Sequence, residues 1–309
     1  MHRAAAADTA STAPAAGTSR IARALAGGAT FGLVAVLVGC AAPAEADRLE
    51  VLASFYPLQY VAERVGGADV RVSSLTPPAA EPHDLELSPA AVRSVGEADL
   101  VVYLSGLQAA TDEAVAAQAP AHVVDSADAA GLTHADGAVS DPHFWLDPLR
   151  LAAVGHAVAE ELSEVDPSNA GVYASRADAL EVDLTALDAQ YTQALAACSG
   201  ATLVTSHEAF GYLAQRYGLV QVGISGINPD AEPAPARLRE VREIVLRDDV
   251  RTLYFEVLAS PKVTQTLAED LGVRTDVLDP LESHSAERGD YLAVMGTNLD
   301  ALERGLVCA

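Results

Sequence analysis

Beyond residue 48 the apolar positions of this chain switch repeatedly between the two-residue period of a strand and the longer period of a helix. Leu49 to Ser54 alternates and predicts a strand, and the stretch from Pro57 to Val65 predicts a helix that Gly66-Gly67 stops. Val70 to Leu75 reads as a second strand, Ser88 to Val95 as a helix with a serine cap and Pro89 in its first turn, and Leu100 to Leu104 as a short buried strand. A helical region follows Pro148 and pauses at Asp166-Pro167-Ser168-Asn169. From Ser168 to about Ala197, the residues Val172, Leu180, Leu184, Leu187, Tyr191 and Leu195 recur at helical spacing, with no proline to break the run.

The alternation then resumes. Strands are predicted at Thr202 to Thr205, Leu219 to Ile224, Thr252 to Glu256 and Arg274 to Leu278. Helices are predicted at His207 to Tyr217, Ala236 to Leu246, Pro261 to Leu271, and a last one ending near Leu306. Alternating strands and helices mark open parallel sheets. The pattern therefore predicts an α/β protein of two open-sheet lobes, 49–165 and 199–309, joined by a single long backbone helix within 166–198.

The first forty residues follow a different rule. Arg20 and Arg23 precede an apolar, small-residue run from Ala24 to Val38 that ends in Leu37-Val38-Gly39-Cys40. This order is that of an export signal, over 1–39, and it resembles the bacterial lipoprotein box, in which the cysteine is lipidated. Cys40 is then the lipidation site, and 40–48 forms a tether poor in residues that pack.

The net charge of −24, less the net +2 of residues 1–39, leaves −26 on the remainder. Such an acidic surface excludes nucleic acid as a partner and disfavours anionic headgroups, so membrane contact is expected through the N-terminal lipid only. With 50% hydrophobic and 20% charged residues the chain reads as globular, and as a monomer. Of three cysteines, Cys198 and Cys308 remain once Cys40 is assigned. An isolated pair in an oxidising compartment points to a disulfide, with zinc ligation the weaker alternative because no C-x-x-C pair is present.

Three histidines stand where a strand has just ended or a loop turns back: His83 in Glu81-Pro82-His83-Asp84, His143 in Asp141-Pro142-His143-Phe144-Trp145, and His207 in Thr205-Ser206-His207-Glu208. Asp279 follows the last strand in Val277-Leu278-Asp279-Pro280. In open α/β sheets ligands sit at the carboxyl ends of strands, and three imidazoles with one carboxylate suit tetrahedral zinc. Taken alone, a His or Asp in a loop is more often a surface or capping residue than a ligand, and the joint context is what points to a site. His122, His134, His156 and His284 carry the plainer surface reading, with His134 or His284 as auxiliary metal contacts.

Together, Ser54-Phe55-Tyr56-Pro57-Leu58, Pro82-His83-Asp84-Leu85-Glu86-Leu87-Ser88-Pro89, Asp141 to Pro148, Ser206-His207-Glu208-Ala209-Phe210-Gly211-Tyr212-Leu213 and Leu278-Asp279-Pro280-Leu281 resemble the zinc/manganese solute-binding family of ABC importers, the ZnuA- and TroA-like proteins. The resemblance implies two lobes around one rigid helix and a metal held between them by His83, His143, His207 and Asp279. It implies a high-affinity zinc-uptake system in which an extracytoplasmic, lipid-anchored protein delivers Zn2+ to a membrane permease. Manganese-type members tend to carry Glu at the third ligand position, where this chain has His207, so zinc is expected over manganese or iron. The His-rich loop of many zinc members is reduced here to His122 and His134. Glu208 and Glu256 are expected either to accept from a ligand imidazole or to serve at the surface or core edge.

Two other classes set the contrast. A secreted zinc hydrolase needs an open coordination position and a general base, and no H-E-x-x-H helix exists, since Ala209, Phe210 and Gly211 follow His207-Glu208. A metal-dependent adhesin would need the metal only to hold its fold. The expectation is therefore a carrier and not an enzyme.

Overall fold

The computed structural model describes residues 48–132, 141–258, 260–283 and 286–308. Cys40, His134 and His284 lie outside the described residues.

In the first lobe, β1 (Leu49–Ala53), α1 (Tyr56–Gly66), β2 (Val70–Ser74), α2 (Pro89–Glu97), β3 (Leu100–Tyr103), α3 (Ala109–Gln118), β4 (Val123–Asp125) and the one-turn α4 (Ser126–Ala129) follow in order. The strands form a parallel sheet in the order β2-β1-β3-β4. A helical pair comes next, α5 (Pro148–Val165) and α6 (Ala170–Ala194). The second lobe comprises β5 (Thr202–Thr205), α7 (Gly211–Tyr217), β6 (Val220–Gly223), α8 (Pro235–Arg247), β7 (Thr252–Phe255), α9 (Lys262–Leu271), β8 (Arg274–Val277) and α10 (Tyr291–Gly305). Its sheet is parallel in the order β6-β5-β7-β8, so both lobes share one topology.

Strand periodicity explains how each sheet is covered on both faces. Val51 and Ala53 of β1, with Leu100 and Val102 of β3, face a central core, while Leu52 and Val101 face an outer one beside α2 and α3. In the second lobe Leu203 and Tyr254 face the central core, and Val204 and Leu253 face an outer core with Val241, Val245 and Leu267. The central core is continuous: Phe55 and Trp145 belong to the same buried cluster as Leu184, Tyr191, Leu278 and Met295. No hydrophobic gap separates the lobes.

The backbone helix is α6, 25 residues long, or about 37 Å. Near its start the Arg176 guanidinium donates to Gly66 O at 2.5 Å and pairs with Asp69 at 2.8 Å, both in the first lobe. Further along, Asp188 binds Arg216 at 2.5 Å, and the Tyr191 hydroxyl donates to Met295 O at 2.7 Å, both in the second. Helix α5 lies beside it, and Gly155 permits the close approach, since a Cβ there would stand 3.1 Å from Leu180 Cδ2.

Two stretches depart from the sequence expectation. The segment 109–129, with its helix and short strand, was not predicted, because its alanine-rich pattern carries little periodicity. Helix α7 begins at Gly211 and not at His207. The Thr205 hydroxyl donates to His207 O at 2.5 Å and the Glu208 amide to Gly226 O at 3.0 Å, which holds His207 in an irregular turn at the strand's end. Cys198 and Cys308 are joined by a disulfide across 110 residues.

Candidate metal centre

His83 hangs from the loop that leaves β2. Buried Gln108 fixes that loop by donating to Thr76 Oγ1 at 2.9 Å and Pro82 O at 3.2 Å. His143 precedes a single 3-10 turn, Phe144–Leu146. The Asp141 Oδ1 accepts both the His143 backbone N–H at 3.0 Å and its Nδ1–H at 2.8 Å. A carboxylate on Nδ1 orients the ring and leaves Nε2 facing inward.

His207 follows β5, and Glu256 follows β7, its hydrogen-bonded neighbour. They stand at the point where strand order reverses, which is where doubly wound sheets bind ligands. Glu256 Oε1 lies 2.6 Å from His207 Nδ1, outside the direction of a straight N–H bond, and it also accepts the His207 amide at 3.3 Å and the Ser206 hydroxyl.

The three Nε2 atoms converge on one oxygen. Glu282 Oε1 is 3.2 Å from that of His83, 2.9 Å from that of His143 and 3.4 Å from that of His207, while His143 and His207 Nε2 are 3.4 Å apart. Zinc–ligand distances of about 2.0–2.1 Å give a tetrahedron with edges of roughly 3.3–3.4 Å. The four clustered side chains, two from each lobe, thus approach the spacing a zinc ion would need along these four separations. His143, His207 and Glu282 are buried, so water competes little for the ion.

Charge reinforces this. Burial alone would lower the pKa of His207, but Glu256 and Glu282 outweigh it and push the value up to about 10. His143 is raised, Asp141 and Glu282 likewise outweighing its burial. Burial alone would raise Glu282, yet the three imidazoles hold its carboxyl well below the usual carboxylate range. Burial and the Glu282 charge push Glu81 up to about 7. Raised in this way, His143 and His207 favour their protonated forms until a cation displaces the protons.

The chain matches the family described as zinc-uptake complex component A, periplasmic, over residues 51–305. The chain belongs to the ZnuA family. Among relatives of known description, the zinc-binding lipoprotein AdcA of Streptococcus pneumoniae is 34% identical over 290 residues, covering 87% of this chain and 58% of AdcA. The chain thus spans little more than half of that relative's length. The Zn(II)-bound ZnuA-like domain of the same AdcA aligns with a TM-score of 0.73 at 34% identity, over 84% of this chain and 98% of that domain. The high-affinity zinc uptake system protein ZnuA of Bacillus subtilis is 31% identical over 287 residues, covering 86% of this chain and 90% of the relative. The laminin-binding protein Lmb of Streptococcus agalactiae, described as bifunctional with adhesin and metal-transporting activity, aligns with a TM-score of 0.77 at 32% identity, over 84% of this chain and 99% of Lmb.

Within this ZnuA-family site, Glu282 stands where the sequence led to Asp279. Asp279 is not among the clustered groups. Its carboxylate pairs with Arg288 and accepts the Leu281 amide at 2.9 Å, and Asn298 holds its backbone from both sides at 2.9 and 2.7 Å. Leu281 takes a positive φ of 61°, and this turn carries the chain from Asp279 to Glu282. The signal for Glu282 lay three residues on, in a second acid of the same short motif. Glu208 turns outward to Arg237 at 3.3 Å. His122 pairs with Glu161 at 2.7 Å. His156 pairs with Glu181 at 2.8 Å and stands near Asp178 on the α5/α6 surface, in a group separate from the cluster.

Proposed function

We propose that this chain is the extracytoplasmic substrate-binding lipoprotein of a high-affinity zinc-uptake ABC transporter, anchored through Cys40, acting as a monomer and delivering Zn2+ to a membrane permease. The observation that carries this reading is the convergence of His83, His143 and His207 Nε2 on Glu282 Oε1 at 3.2, 2.9 and 3.4 Å, near the edge lengths of a zinc tetrahedron. Zinc is the cargo, held by these four residues, while Asp141 and Glu256 brace His143 and His207 from behind.

Three imidazoles favour zinc over manganese, which prefers oxygen donors and higher coordination. Four protein groups on one ion leave no open position for an activated water, so capture and release replace chemistry. The continuous core between the lobes opposes wide hinge opening. Loading therefore acts through small shifts of the loops carrying His83 and Glu282, and the permease reads the result.

Metal analysis of the purified protein, followed by competitive titration with zinc and manganese, tests the reading. One tightly held zinc per chain that excess manganese does not displace supports it. A protein that takes up no zinc, or prefers manganese, overturns it.

A further inference from the structure

The four clustered residues are nearly sealed. The side chains of His143, His207 and Glu282 are 0%, 1% and 2% exposed, and that of His83 is 9%. A hydrated divalent ion reaches such a site only through an opening, and one lies against it. A cavity of about 200 Å³ is lined by Tyr56 and Gln59 of α1, by Ser74, Thr76, Pro77 and Pro78 at the end of β2 and beyond, and by Glu282 and Ser283. Glu282 is the one member of the cluster that lines it, so its carboxylate belongs both to the closed site and to the passage.

The walls are unlike an accidental gap between lobes. Ser74 and Ser283 each carry a buried hydroxyl oxygen with no protein partner among the described residues, and Thr76 adds a third hydroxyl, held by Ser54 O at 2.7 Å and by Gln108. Buried polar atoms are ordinarily paired. These hydroxyl-bearing side chains keep the wall polar on the side of Glu282, which suits a cation better than an apolar wall would. Pro77 and Pro78 form an exposed rim, and their fixed φ keeps the rim in shape.

We propose that this cavity is the access route by which zinc enters and leaves, that the ion meets Glu282 before it meets the imidazoles, and that Gln59 and Ser74 set the width of the passage. The proposal rests on the zinc-carrier reading. It makes a kinetic claim separable from the ligand assignment, since a route residue alters the barrier common to both directions and leaves the end states alone. Association and dissociation rates therefore change by the same factor while Kd stays fixed. A ligand or a group bracing a ligand moves Kd.

The test uses the full chain with Zn2+ alone, association followed by stopped flow and dissociation by a chromophoric chelator. Gln59→Phe, which fills the passage from α1, and Ser74→Leu, which fills it from β2, are expected to slow both rates together by about tenfold, the low end of the span of association rates among mutants of one interface. Gln59→Ala is expected to speed both. Unchanged rates in variants that still bind zinc with wild-type Kd overturn the route while leaving the carrier reading intact. Rate changes confined to one direction, with a shifted Kd, also overturn it. Failure of the unmodified protein to bind zinc removes the carrier reading itself. Using two different elements, α1 and β2, keeps the test decisive if one variant fails to fold.

Discussion

His143 Nε2 lies 2.9 Å from Glu282 Oε1 across 139 residues of sequence, and each comes from a different lobe. With the approaches of His83 to Glu282 and of His143 to His207, this contact makes the cluster an interlobe one. It predicts that Glu282→Gln weakens zinc binding by more than the roughly 10- to 100-fold typical of groups behind the ligands. Asp279→Asn keeps an oxygen for the Leu281 amide and should cost far less. Competition titration of the two variants against wild type distinguishes them, and equal losses would return Asp279 to the ligand set.

Acidity should oppose loading. In the metal-free protein His207 is raised from 6.5 to about 10, so below that value zinc must displace its proton. Affinity is expected to climb with pH up to about 10, and proton release should appear in calorimetry as a dependence of heat on buffer ionisation enthalpy. The metal-free protein behaves oppositely. The stability contributed by the raised His207 is fully present below 6.5 and is lost as pH rises towards 10. The depressed Glu282 contributes stability present above its ordinary 4.5 and lost as pH falls through its lowered value. The gain in melting temperature on adding zinc should therefore widen from pH 6.5 towards 10, and a gain independent of pH would contradict these charge assignments.

Trp145 is the sole tryptophan. Its ring centroid is 5.2 Å from that of His143, its indole N–H donates to Pro280 O at 2.7 Å, and its carbonyl accepts from Tyr291 at 2.6 Å. Zinc loading should change its fluorescence. Trp145→Phe strands a buried carbonyl two residues before Glu282, at a cost of about 1–3 kcal/mol, which should lower the melting temperature and weaken zinc binding together. Intact affinity in that variant would remove the indole from the interlobe linkage.

The contrast between His207 and Glu282 indicates what the sequence exposes. His207 follows a strand whose period is strong and whose end is unambiguous, so its place at the crevice is legible without coordinates. Glu282 depends on the turn at Leu281 and on the Arg288 and Asn298 contacts that occupy Asp279. Those are tertiary facts, and two acids three residues apart look equivalent without them. The lobes and the backbone helix were legible for a related reason, because apolar residues repeat over long runs. The segment 109–129 lacks such a run. Likewise, Asp141 gave no sign of bracing His143, since an acid two residues before a histidine is equally a turn former.

The disulfide lies at the other end of β5 from His207. Cys198 precedes the start of β5, whereas His207 follows its end. Replacing both cysteines by serine should remove about 4–5 kcal/mol by the loop-entropy estimate for 110 residues. A clear fall in melting temperature with unchanged zinc Kd is the expected pairing, and a large loss of affinity would mean that the two ends of the second lobe are coupled.

Zinc K-edge X-ray absorption of the loaded protein tests most directly whether three imidazoles and Glu282 hold the ion. Four light-atom neighbours at about 2.0–2.2 Å are predicted, with the multiple scattering of three imidazoles that falls to two in His207→Ala. A first shell of six oxygens, sulfur neighbours, or an imidazole signal unchanged in that variant would contradict it.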